Sequence, residues 1–309
     1  MNDDRLINQL ESGLGIQLPS SIDRCFLPGS GNPCMIARED KLHPIISGNK
    51  WRKLKYYLLD YLQSGKYGIA TTGGAHSNLL HALAFACHTL KIPTTYFIAG
   101  YNSSFGSPMV KDCLSWGIDI QNIQRNQRTD LNRWIGAEYY WIPEGAPGAL
   151  AEQGLKEQLV GWQGFQDRPE QTICIPTGSG ASCAAILSST YNCQVLTLPT
   201  VKAIRPLQNR RLRLLADPEP MHFGSGRQDY IDFIAAFYNL NSLLLDPIYT
   251  GRLFWALDRG IDSISGVDEL YVIHTGGLQG WRSYLNRYRR KFDFSPELLR
   301  SIEAHLYKK

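Results

Sequence analysis

The chain has 309 residues, 43% of them hydrophobic and 19% charged, with seven cysteines and a formal net charge of +4. At ~100–200 residues per domain the length suggests two domains or one large one, and the composition excludes disordered, collagen-like and coiled-coil classes. The 32 basic and 28 acidic residues leave too small an excess for a nucleic-acid footprint. Two basic clusters, Arg205 with Arg210, Arg211 and Arg213, and Arg287 with Arg289, Arg290 and Lys291, read as solvated surface. No run approaches the ~18 apolar residues of a membrane span, and Met1-Asn2-Asp3-Asp4 does not open a signal peptide. Cys25, Cys34, Cys87, Cys113, Cys174, Cys183 and Cys193 never show C-x-x-C spacing, so neither a disulfide framework nor a zinc site is expected. Most lie in apolar stretches, as small buried hydrophobes do. Asn102-Ser103-Ser104 matches a glycosylation acceptor only by coincidence, because the expected location is cytoplasmic.

Short apolar strands alternate with amphipathic helices, the pattern of βαβ units and a mainly parallel sheet. Trp51, Leu54, Leu58, Tyr61 and Leu62 recur at helical spacing, and Gly65 stands where that helix would end. Tyr67 to Thr71 reads as a strand, Thr72 to His76 as a turn, Asn78 to Thr89 as a buried helix, and Thr94 to Ala99 as the next strand. Farther on, Gln171 to Ile175 is a strand, Pro176 to Gly180 a loop, Ala181 to Ser189 a helix, and Gln194 to Leu198 a strand. Leu270 to Ile273 runs as a strand into Thr275-Gly276-Gly277, and Ser295-Pro296 opens a final helix. Ligands of open α/β sheets bind beyond the carboxyl ends of strands, which directs attention to these turns.

Gly178-Ser179-Gly180-Ala181-Ser182 joins a strand to a helix and suits one phosphate, held by backbone amides at a helix start. It lacks the third glycine of a dinucleotide fingerprint and the Gly-Lys-Ser/Thr of a P-loop; read alone it is also a plain turn. Ser47-Gly48-Asn49-Lys50 places a lysine at a helix start, where the dipole disfavours a cation. Such a lysine is usually just exposed, but a depressed pKa there would serve Schiff-base chemistry, with Lys53 and Lys55 as rivals. Ser77 and Asn78 cap a helix or offer polar groups to a ligand. No nearby Asp completes a triad with His76 and Ser77, which disfavours a hydrolase. A reactive lysine, a phosphate cradle and polar donors at strand ends together suggest pyridoxal 5′-phosphate.

The segments Ser47 to Tyr56 and Thr72 to Asn78 resemble the 1-aminocyclopropane-1-carboxylate deaminase / D-cysteine desulfhydrase family of fold-type II, tryptophan synthase β-like pyridoxal-phosphate enzymes. Ile142 to Gly145, Thr177 to Ser182, Leu245 to Gly251 and Ile273 to Gly277 continue the likeness in order along nearly the whole chain. The resemblance implies two three-layer α/β/α domains with largely parallel twisted sheets, a smaller one over residues 52–150 and a larger cofactor-binding one over 1–51 and 151–309. It implies Lys50 as the cofactor's lysine, Asn78 at the ring hydroxyl, and Thr177, Gly178, Ser179, Gly180, Ala181 and Ser182 at the phosphate. Ser77 matches the deaminase's nucleophilic serine, and Tyr249 a tyrosine close to the substrate. Ring-opening deaminases carry Glu after that tyrosine; here Thr250, with Thr275, looks like the desulfhydrases, whose weaker electron sink suits loss of a good β-leaving group. His76 stands where Gln is common, and Phe223 near the place of a substrate-facing tyrosine. The implied reaction is β-elimination from a small amino acid, D-cysteine-like or another β-substituted alanine, giving a 2-oxo acid and ammonia. The alternatives are cyclopropane ring opening to 2-oxobutanoate, β-replacement, and a non-catalytic cofactor-binding protein. The resemblance also implies a homodimer.

Overall fold

The computed structural model describes residues 3–99, 106–124, 127, 131, 135–200, 209–217, 219–260 and 267–306. Arg205 and Asn102 to Ser104 lie outside them. The chain divides into two compact units: residues 1–18 with 42–157, and residues 19–41 with 158–309.

The first unit is built on a four-stranded sheet in the order β5-β4-β3-β6, from β3 (Gly68–Gly73), β4 (Thr94–Ala99), β5 (Asp119–Ile123) and β6 (Tyr139–Ile142). Every neighbouring pair is parallel. β3 is buried along its whole length, as a central parallel strand covered on both faces must be, whereas β5 at the edge is largely polar. The helices are α1 (Asp3–Leu14), α2 (Asn49–Ser64), α3 (Asn78–Leu90), α4 (Pro108–Ser115) and α5 (Ala149–Lys156). Leu10 and Leu14 of α1 join Trp51, Leu54 and Leu58 of α2 and Leu80 and Leu83 of α3 in one apolar core. That burial places residues 1–18 and 42–51 with this sheet, whereas the sequence reading grouped them with the larger domain. The amphipathic face of α1 needed a partner, and only the folded core shows which one it takes.

The second unit carries a six-stranded sheet in the order β1-β2-β10-β7-β8-β9. Its strands are β1 (Ile22–Phe26), β2 (Pro33–Ala37), β7 (Gln171–Thr177), β8 (Gln194–Pro199), β9 (Leu212–Leu214) and β10 (Glu269–Ile273). Among the described residues only the β1–β2 hairpin is antiparallel. The helices are α6 (Ala181–Ser189), α7 (Gln228–Asn241), α8 (Thr250–Arg259), α9 (Gly280–Tyr288) and α10 (Pro296–Leu306). Ser295 caps α10, its Oγ accepting from Leu298 N at 3.2 Å. All seven cysteines are buried free thiols, as their apolar neighbours suggested. The basic cluster after β8 is not all solvated. Arg211 donates to the carbonyls of Leu187 and Thr190 at the carboxyl end of α6 and of Cys193 just before β8, tying the two together. No described helix is long and apolar enough to cross a membrane.

Candidate active site

In the first unit Gly48 takes φ 67°, a conformation that only glycine adopts cheaply, and delivers the chain into α2. Lys50 falls in the first turn, half-buried, its Nζ hydrogen-bonded to Asn49 Oδ1. No acidic residue shares that turn to offset its charge. Its two rivals are committed elsewhere. Lys53 donates to the Gly145 carbonyl at 2.9 Å, which gives the Ile142-to-Gly145 segment a structural role. Burial pushes its pKa down to about 8. Lys55 pairs with Glu157 at 2.6 Å and Glu11 at 3.2 Å.

β3 ends at Gly73, where an added Cβ would meet Leu80 at 3.0 Å, so the turn into α3 closes tightly. Ser77 is the N-cap of α3; its Oγ accepts from Leu80 N at 3.3 Å, which leaves the O–H to donate. Asn78 follows in the first turn. Its Oδ1 is shut off from solvent and has no hydrogen-bond partner among the described residues. His76, one residue before the cap, is exposed.

In the second unit β7 ends at the buried Thr177, whose carbonyl accepts both Thr200 N and Thr200 Oγ1, at 2.9 and 3.0 Å. Gly178 and Ser179 then turn the chain, and Gly180 enters α6 with φ 86°. No side chain caps α6, so its first amides point outward unclaimed by a local cap. Ala181 and the buried Ser182 keep that end small. A Cβ on Gly178 would lie 3.7 Å from Tyr249 Cε1, which brings the loop beside the tyrosine. Phe223, 53% exposed, meets the Tyr249 ring edge to face at 6.0 Å. Burial pushes the Tyr249 phenol up to about 12, so it keeps its proton at neutral pH.

Asp246 positions this tyrosine. The carboxylate is fully buried and accepts from the backbone amides of Ile248, Tyr249 and Thr250 at 3.0, 2.7 and 2.7 Å. An acidic residue just ahead of a helix is a cap signal that sequence alone can show, and Asp246 provides it. Thr250 and Thr275 are both buried, with hydroxyl oxygens 3.5 Å apart; Thr250 Oγ1 also accepts Thr275 N at 3.3 Å. The two threonines thus form one hydroxyl pair. His274 Nδ1 accepts from Gly276 N at 3.2 Å and its Nε2 bonds Leu244 O at 3.0 Å, which defines the Nε2–H tautomer and holds the glycine turn after β10.

No protein-family model matches the chain. A protein of Pyrococcus abyssi provisionally named a 1-aminocyclopropane-1-carboxylate deaminase is 26% identical over 282 residues, covering 79% of this chain and 84% of that one. A D-cysteine desulfhydrase of Klebsiella pneumoniae is 23% identical over 293 residues, covering 82% and 89%. The solved structure of an ACC deaminase homologue superposes with TM-score 0.68 at 20% identity, over 90% of this chain and 98% of that one. A pyridoxal 5′-phosphate-dependent aspartate racemase gives 0.59 at 13% identity, over 88% and 94%. The fold is fold type II. Within it, His76, Ser77, Asn78, Thr177 to Ser182 and Thr275 fall at the carboxyl end of a parallel strand or at the start of the following helix, whereas Lys50, Tyr249 and Thr250 start helices that follow no strand directly and Phe223 lies on a loop.

Proposed function

We propose that the chain is a pyridoxal 5′-phosphate-dependent lyase that eliminates a β-substituent from a small amino acid, releasing a 2-oxo acid and ammonia. The names of the relatives support that reaction class. The observation that carries the reading to this chain is the buried, unpartnered Asn78 Oδ1 on the first turn of α3. An amide there is costly unless a ligand completes it, and a phenolic ring hydroxyl is a suitable partner. By the resemblance, Lys50 in the first unit would take its aldehyde, and in the second unit the uncapped start of α6 would take its phosphate and the Thr250–Thr275 hydroxyls its ring nitrogen. When bound, the cofactor would supply an electron sink for negative charge developing at the substrate α-carbon.

The chain's own groups do the remainder. Lys50 Nζ, the amine that the resemblance implies for the cofactor, takes the α-proton. The Ser77 O–H is left to hold the substrate carboxylate. Tyr249 Oη, still protonated, donates toward the leaving group. Uncharged threonines at the ring nitrogen do not enforce its protonation as a carboxylate would, which favours elimination over ring opening. We also propose a cytoplasmic location, on the sequence features given above, and a homodimer, on the resemblance alone.

The test is direct. Purified protein with added cofactor should show the visible band of a lysine-bound pyridoxal, and Lys50→Ala should lose it. Keto-acid release is then screened with D- and L-amino acids bearing β-leaving groups and with the cyclopropane acid. A colourless wild type that binds no added cofactor would overturn the reading. A coloured protein that turns over only the cyclopropane acid would replace elimination by ring opening.

A further inference from the structure

Gln279 has no part in the site so far described. It follows β10 through Thr275-Gly276-Gly277-Leu278, in which Gly276 and Gly277 take φ of 74° and 94°. It is 7% exposed, and neither Nε2 nor Oε1 has a hydrogen-bond partner among the described residues. Both ends of a primary amide are therefore removed from water without compensation, which a native structure retains when a ligand completes it.

Its surroundings place it on the working edge of the second unit. Leu278 and Trp281 lie in the apolar core, and Trp281 Nε1 donates to Leu245 O at 2.8 Å. These contacts set the rotation of α9, so Gln279, next to Leu278 in sequence, lies off that face. A Cβ on the following Gly280 would lie 3.9 Å from Ile248 Cγ1, so this segment packs against the turn that presents Tyr249 and Thr250. The parallel register of β10 on β7, Val272 beside Cys174, brings Thr275 and Thr177 out at the same carboxyl edge.

We propose that Gln279 is a specificity-determining residue that hydrogen-bonds a hydroxyl on the substrate β-carbon, admitting β-hydroxy amino acids of the serine class as substrates. The argument is one of complementarity. A hydroxyl accepts from Nε2 and donates to Oε1, satisfying both ends; a carboxylate or phosphate takes Nε2 alone, and a thiol is weak in either role. The inference rests on the proposed elimination and deepens it. The Cα–H proton passes to Lys50 Nζ, its electron pair forms the Cα–Cβ double bond, and the Cβ–O bond breaks. The hydroxyl leaves as water with the Tyr249 proton, and both groups return to their starting states by exchange with solvent.

The experiment compares wild type with Gln279→Met on D- and L-serine and on β-chloroalanine, whose chlorine fills similar space without hydrogen-bonding in both directions. The expected result is a fall of about 10–100-fold in kcat/KM for serine, with β-chloroalanine changed less than about 3-fold. Cofactor affinity, from spectral titration of the apoprotein, should be unchanged, and the substrate-free melting temperature should rise as an unpaired amide gives way to an apolar isostere. Equal losses on both substrates, a lower melting temperature, or weakened cofactor binding would each overturn the inference. A wild type that carries the cofactor band and acts on β-chloroalanine but not serine overturns this inference alone. A wild type with no band overturns the underlying reading and this one with it.

Discussion

Lys53→Met isolates one electrostatic quantity in this fold. Lys53 is 8% exposed, and burial lowers its pKa from an ordinary 10.5 to about 8. The unfolded chain therefore binds the Lys53 proton more tightly than the folded one. Between about pH 8 and 10.5 the unfolded state holds more protons, so the wild-type stability contributed by this group rises with pH across that window. A gap of about 2.5 pH units at 1.36 kcal/mol each amounts to about 3 kcal/mol of penalty, fully present below pH 8 and gone above pH 10.5. Methionine removes that penalty and also removes the hydrogen bond to Gly145 O, which contributes about 1 kcal/mol. The variant should be more stable than wild type by about 2 kcal/mol at pH 7 and less stable by about 1 kcal/mol above pH 10.5. Equilibrium unfolding in guanidinium, followed by tryptophan fluorescence of both proteins from pH 7 to 11, measures the difference; taking it cancels other groups that titrate there. A difference that stays constant with pH refutes the reasoning, because it would mean that Lys53 is not desolvated while charged.

Further outcomes follow from individual contacts. Asp246→Asn keeps one oxygen for the α8 amides but turns an NH2 toward another donor, so it should cost about 2–3 kcal/mol and lower kcat through a displaced Tyr249, read by denaturation and steady-state kinetics. Gly180→Ala forces a side chain into φ 86° at the start of α6; it should cost about 1–2 kcal/mol and raise the cofactor dissociation constant, read by spectral titration. Arg211→Ala leaves the last carbonyls of α6 unpaired and should cost about 2–3 kcal/mol in a urea midpoint without changing kcat.

How far each feature could be read in advance depended on how local its cause is. The α3 helix was bounded from Asn78 to Thr89 against an observed Asn78–Leu90, because an apolar run, a serine cap and a following proline all act within a few residues. The strand at Tyr67 was displaced to Gly68–Gly73: Tyr67 is 62% exposed, and parallel pairing with β4 and β6, not β propensity, sets its ends. The strands β1, β2, β5, β6 and β9 were not placed, and most are edge or hairpin strands that lack the continuous apolar run of β3 and β7.

Composition and spacing by themselves determined the βαβ alternation, the glycine turns at strand ends and the cluster of polar residues that they carry. These are consequences of periodicity and of backbone conformations that only certain residues accept. Tertiary structure alone decided which unit α1 joins, that Lys53 is held by a carbonyl and Lys55 by two carboxylates, that Thr250 and Thr275 share one hydroxyl pair, and that Gln279 is buried with its amide unmatched among the described residues. Such facts depend on partners distant in sequence. Burial converts a common polar side chain into a costly one, and nothing in the local pattern says which polar residue will be enclosed.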